Sequence, residues 1–147
     1  MEILIINGPN LNLLGRREPA LYGNRSFEDF FPDLQEAFPA LTLSYFQSNH
    51  EGALLDRLHE AGFSAHGIVL NGGGLTHTSV ALADAVAAVA TPVVEVHLTN
   101  LAAREDFRQK SLLGRYCAGS ISSISGPLQR HPFSGLVHSA GELLHTP

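Results

Sequence analysis

At 147 residues and 44% hydrophobic content the chain has room for one domain, spanning 1–147, able to bury roughly two-thirds of its unfolded surface. A formal charge of −5, with 16% charged residues and no basic run beyond Arg16-Arg17, excludes a nucleic-acid surface, and no apolar run approaches the ~20 residues of a membrane span. One cysteine, Cys117, excludes an internal disulfide framework, and the chain starts at once on strand residues instead of a leader, so the expected compartment is the cytoplasm and the expected partner a small molecule.

The run Ile3-Leu4-Ile5-Ile6 is apolar and rich in β-branched residues, and reads as a buried central strand that delivers Asn7 and a long loop, Gly8 to Arg25. That loop carries two prolines, a tyrosine, an arginine pair and the amides Asn10, Asn12 and Asn24, which is a functional composition; residues 12–24 read as a lid. Ser26 is a good N-cap for a helix over about 26–38, with Pro32 early in it or bending it. A strand over 41–46 follows, then a helix bearing Ala53, Leu54, Leu55, Leu58 and Ala61, closed by Gly62 at a C′ position. Residues 67–70 form a third strand, Asn71-Gly72-Gly73-Gly74 turns the chain into an alanine-rich helix over about 76–85, and Pro92 separates it from a strand over 93–98. A short helical segment near 104–109, a weak strand near 117–124 and a last helix near 134–144 complete the pattern. Strict alternation of strand and helix implies an α/β fold, a doubly wound parallel five-stranded sheet of flavodoxin-like type between helical layers in a three-layer α/β/α sandwich.

The polar groups of interest all fall just after a strand. The glycine triplet is either an anion cradle at a helix N-terminus, for phosphate or carboxylate, or simply a tight turn; it has neither the lysine of a P-loop nor dinucleotide spacing. His77, expected in the first turn of its helix, favours a neutral hydrogen-bonding role, or is a satisfied surface histidine. His97 ends a buried strand with Glu95 two residues before it on the same face, a spacing that lets the carboxylate orient or charge the ring. His50, His59 and His66 show no ligand spacing, so no metal is expected. Tyr22 follows Arg17 by five residues; a guanidinium beside a phenol is one way to stabilise a phenolate, though both side chains could instead pack or be solvated at the surface.

The segments GPNLNLLGRREPALYG, NGGGLTHTSVALADA and VEVHLTN-x-x-ARE-x-FR, in that order, resemble type II 3-dehydroquinate dehydratase from about Ile3 to Ser111. The resemblance implies a flavodoxin-like hydro-lyase of the shikimate pathway, leading to chorismate and the aromatic amino acids. It implies a cytoplasmic enzyme that assembles as a dodecamer of trimers, uses no cofactor, metal or Schiff base, and converts 3-dehydroquinate to 3-dehydroshikimate. It further implies that Tyr22 is the base at C2, that Arg17 lowers its pKa, and that Asn10 holds the water stabilising the enolate. His97, supported by Glu95, would be the acid that protonates the departing C1 hydroxyl. Asn71, His77 and Arg108 would hold substrate hydroxyls, Leu98 and Thr99 the carboxylate, and Asp84 would reach into a neighbouring subunit's site.

The tail departs from the family's glycine-rich G-x-I-x-G-x-G strand: here Gly119 to Pro127 reads GSISSISGP, and Phe133 stands where a tyrosine is usual. That leaves the last strand's geometry and its subunit contacts as the questions for the structure. Two rivals are weaker. A lysine-imine dehydratase would need a buried lysine, and the only one, Lys110, sits in a polar run. A flavin or nucleotide carrier would want a phosphate loop where this chain has Pro9, Asn10 and the arginine pair.

Overall fold

The computed structural model describes residues 1–16 and 24–122. Five parallel strands make one sheet in the order β2-β1-β3-β4-β5: β1 Glu2–Asn7, β2 Thr42–Gln47, β3 Gly67–Asn71, β4 Val93–His97 and β5 Gly119–Ser122. This is the doubly wound flavodoxin-type order that the alternation implies, in which the order of adding strands reverses between β1 and β3 while every strand runs the same way. The last strand forms despite its serine-rich sequence, pairing Val94 to His97 with Gly119 to Ser122. The last helix near 134–144 and Phe133 lie outside the described residues.

Alternate side chains of β1 face opposite layers, as the period of a strand requires. Ile3 and Ile5 pack with Phe27, Phe30 and Leu34 of α1 (Phe27–Ala37) on one face. Leu4 and Ile6 pack with Leu54 and Leu58 of α2 (Glu51–Ala61) and with Leu82, Ala85 and Val86 of α3 (Val80–Ala88) on the other. These are the three layers of the sandwich. Helix α1 starts at a capping box in which Ser26 and Asp29 exchange side-chain and backbone hydrogen bonds. Burying its three apolar anchors is worth on the order of 6 kcal/mol, against about 3 kcal/mol for an interior proline, so the helix runs through Pro32 to Ala37. No helix among the described residues is long and apolar enough to cross a membrane.

Two local expectations need correction. Gly62 has φ −67°, so it supplies no left-handed C′ turn; it is small because α2 ends against Val89, whose Cγ1 would stand 2.2 Å from any added Cβ. The helix expected over 76–85 is two pieces, a 3₁₀ turn Gly73–His77 and then α3, because Ser79 turns extended and caps the new helix through Leu82 N–H at 2.8 Å. The short helical segment near 104–109 is present as the 3₁₀ turn Asp106–Arg108, and a further 3₁₀ turn, Leu101–Ala103, precedes it, capped by the Asn100 side chain.

Candidate active site

The C-terminal ends of β1, β3 and β4 converge on one cleft of about 180 Å³ at the point where the strand order reverses, where ligands bind in sheets of this kind. Its floor is backbone. Gly8 N–H continues the β1–β3 ladder onto Asn71 O at 2.8 Å, and a Cβ on Gly8 would sit 2.7 Å from Gly72 O. Gly73 adopts φ +57° with Pro9 O 3.0 Å from where its Cβ would be. The glycine triplet is thus chiefly a close-approach turn, which lets two loops touch.

Around that floor stand Asn10, Asn71, His77, His97, Leu98, Thr99 and Arg108, seven of the residues singled out from the sequence. Asn10 holds a left-handed conformation, φ 68°, and its N–H donates to Asn49 Oδ1 at 2.9 Å, so the side chain's direction is set by a strained backbone. Asn71 is buried at the end of β3, and its Oδ1 accepts from Gly73 N–H at 3.1 Å, which leaves its amide group as the donor for a ligand.

His77 does not lie in the first turn of an α-helix, so the helix-dipole argument for its neutrality fails; it lies in the 3₁₀ turn. What the structure fixes is which ring nitrogen donates. Its Nδ1 is 2.7 Å from the carbonyl oxygen of Lys110, and since a carbonyl only accepts, Nδ1 carries the proton and Nε2 is left toward the cleft. Its ring stacks on that of His97, with centroids 6.4 Å apart and planes 24° from parallel.

His97 is buried, and its Nε2 is 3.2 Å from Oε1 of the fully buried Glu95. The pair is at ion-pair range, and Nε2 has no hydrogen-bond partner. Burial would push the Glu95 carboxyl up, yet His97 together with the Ser111 and Ser120 hydroxyls outweighs it and holds the group below the usual carboxylate range. A fixed anion therefore stands behind the histidine at neutral pH.

Arg104, which the sequence reading left without a role, lines the same cleft and donates from its NH1 to Thr99 Oγ1 at 3.0 Å. Glu105 pairs with both Arg104 Nε, at 3.5 Å, and Arg108 NH1, at 3.2 Å, holding the two guanidiniums on one wall. Its spacing of five from Thr99 gives no period that would have flagged it. Asp84 is not in this cleft; it lies on the exposed side of α3. Arg17, Tyr22 and most of the lid lie outside the described residues. Among the described residues no three His, Cys, Asp or Glu side chains gather closely enough to hold a metal ion.

Comparison with known proteins agrees with this arrangement. The profile of the family described as dehydroquinase class II matches residues 1–127. The 3-dehydroquinate dehydratase of Pelodictyon phaeoclathratiforme is 51% identical over 126 residues, covering 84% of this chain and 83% of that one. The 3-dehydroquinate dehydratase 1 of Agrobacterium fabrum is 52% identical over 127 residues, covering 85% and 87%. The crystal structure of type II dehydroquinase from Butyrivibrio crossotus superposes with a TM-score of 0.85 at 39% identity, covering 97% of each chain. With a five-stranded parallel sheet, a cleft at its topological switch and a profile match over most of its length, this chain belongs to the class II dehydroquinase family.

Proposed function

We propose that this cleft removes water from 3-dehydroquinate to give 3-dehydroshikimate, with Tyr22 as base and His97 as acid. The observation that carries the reading is His97, buried at the cleft with Oε1 of the Glu95 carboxylate 3.2 Å from its Nε2, an ion-pair contact short of a hydrogen bond. Catalytic contacts that are loose without substrate and tighten around it are expected of a general acid.

The elimination has two proton transfers. A base takes the proton from C2, α to the C3 ketone, and the electron pair moves into an enolate. The enolate then re-forms the ketone as the C1–O bond breaks, and the acid supplies a proton to the leaving hydroxyl, which departs as water. Tyr22 is assigned the first step, with Arg17 stabilising its phenolate. The other tyrosines suit it poorly. Burial pushes Tyr45 well above the ordinary phenol range and its hydroxyl donates to Glu28 at 3.4 Å, while Tyr116 stands exposed beside Arg115.

Asn10 is assigned the water that stabilises the enolate, Asn71, His77 and Arg108 the substrate hydroxyls, and Leu98 N–H with the Thr99 hydroxyl the carboxylate. The Thr99 assignment is supported by Arg104. An arginine N–H already occupies a lone pair of Thr99 Oγ1, so the hydroxyl proton is left to donate. Every required group is a side chain or a backbone N–H, and the reaction needs no cofactor. Asp84 is assigned to a neighbouring copy's cleft within a dodecamer of trimers; it is exposed on α3 beside Val80, Ala81, Ala87 and Ala88, also exposed, an apolar face suited to self-association. We place the whole chain, as one catalytic domain with its lid at 12–24, in the cytoplasm.

The test is direct: purified protein given 3-dehydroquinate should generate the ultraviolet absorbance of the conjugated enone, and His97→Ala should abolish it. Full turnover by His97→Ala would remove the acid from the scheme.

A further inference from the structure

Glu95 has no exposed surface, and both of its oxygens are taken. Oε1, the oxygen nearest His97, accepts from the Ser111 hydroxyl at 2.6 Å; Oε2 accepts from the Ser120 hydroxyl at 3.0 Å. Ser111 has no freedom to turn that proton elsewhere, because its oxygen already accepts Leu113 N–H at 3.1 Å and Gly114 N–H at 2.9 Å. Ser120 arrives from a separate element: the parallel register of β4 and β5 sets it directly opposite Glu95. Gly114 closes the remaining side, with room for no Cβ closer than 3.0 Å to Oε2.

We propose that Ser111 and Ser120 are positioning residues for the elimination, clamping Glu95 as an oriented carboxylate beside Nε2 of His97 so that the ring stays aimed at the leaving hydroxyl. The proposal rests on the assignment of His97 as the acid. A buried carboxylate can escape the cost of its charge either by gaining donors or by gaining a proton. The two hydroxyls supply the donors. Without them burial weighs more heavily against the charge, and Glu95 takes up its proton at a higher pH than in the wild type.

The sign of the pH effect follows. The hydroxyls depress the Glu95 pKa, so removing them raises it, and the charge is then lost as pH falls through the higher value. The acid limb of kcat should move to higher pH. Two other titratable groups pack nearby. The Cys117 thiol is pushed up to about 12 by burial and by Glu95 itself, and stays neutral throughout. His77, stacked on the far side of His97, holds its Nδ1 proton against Lys110 O.

The experiment is the kcat and KM pH profile of Ser111→Ala, Ser120→Ala, their double variant and the hydroxyl-retaining Ser120→Thr, with His97→Ala alongside. Expected are a kcat lowered roughly tenfold or more in the double variant, KM nearly unchanged, and an acid limb displaced upward by about one pH unit. Ser120→Thr should restore the wild-type profile. Should Ser111→Ala fail to fold, Ser120→Ala alone decides, since Ser120 holds no backbone amides. Serine variants whose profiles superimpose on wild type, beside an inactive His97→Ala, overturn this proposal only. An active His97→Ala overturns the acid assignment and the clamp together.

Discussion

The rings of His77 and His97 lie stacked, although one follows β3 and the other ends β4. Their surroundings differ: His97 Nε2 stands 3.2 Å from the Glu95 carboxylate, whereas His77 Nδ1 is held by Lys110 O. His77→Ala should therefore raise KM roughly tenfold by losing a hydrogen bond to substrate, while the pH dependence of kcat stays that of wild type. If the basic limb of the profile vanishes in His77→Ala, the acid is His77.

Tyr22→Phe should lower kcat by about 10²- to 10⁴-fold, the usual worth of a general base. Arg17→Ala should fail almost as badly, because the phenolate needs a fixed cation, and Arg16→Ala should be milder. Exchange of the C2 proton into deuterated solvent separates the two halves of the reaction: His97→Ala is expected to keep it and Tyr22→Phe to lose it. Near-normal exchange in Tyr22→Phe would place the base elsewhere.

Arg104→Ala should raise KM tenfold or more with a smaller change in kcat, since a hydrogen bond involving a charged group is worth about 1.5–3 kcal/mol. Arg104→Lys should recover little, because a point charge cannot span Thr99 and a ligand as the planar guanidinium can. Steady-state kinetics on the three proteins checks this; an unaltered KM in Arg104→Ala removes the residue from the site.

Light scattering should show a large assembly, and Asp84→Ala should lower activity or loosen it. A fully active monomer would end the assignment of Asp84 to a neighbouring cleft.

Gly52 inside α2 and Gly62 just after it should answer alanine with opposite signs. Gly62→Ala drives a Cβ into Val89 and should cost about 1–3 kcal/mol. Gly52→Ala meets nothing within 4 Å in a helix and should gain up to about 1 kcal/mol. Urea midpoints measure both, and midpoints that shift the same way would show that the packing against Val89 is not what limits position 62.

Much of this was legible in the sequence because the sheet announces itself. Apolar runs such as 3–6 and 67–70 have one reading when each is followed by a polar loop and an amphipathic helix, and Glu95 with His97 at a spacing of two on a strand must share a face. What stayed hidden depends on tertiary contact. Nothing around Gly62 reveals that Val89 will lean on it, and nothing in the alanine-rich run tells that Ser79, rather than Thr76 or Thr78, will take the cap. Ser111 and Ser120 are ordinary serines until the fold brings them to one carboxylate. Arg104 was hidden for the same reason: its partner Thr99 is reached through a 3₁₀ turn, not along a helix face.

The pairing of β5 with β4 also sets a clock on the protein's synthesis. Strands β1 to β4 can assemble as soon as residue 97 has emerged, but β4 is then an edge, and Glu95 lacks the hydroxyl it receives from across the register. An unfinished chain on the ribosome would hold most of the sheet with Glu95 still open to water. The carboxylate's last donor comes from a strand of four residues made after every other residue of the cleft, so a nascent chain stalled before Gly119 should carry most of its sheet and lack the Ser120 bond to Glu95.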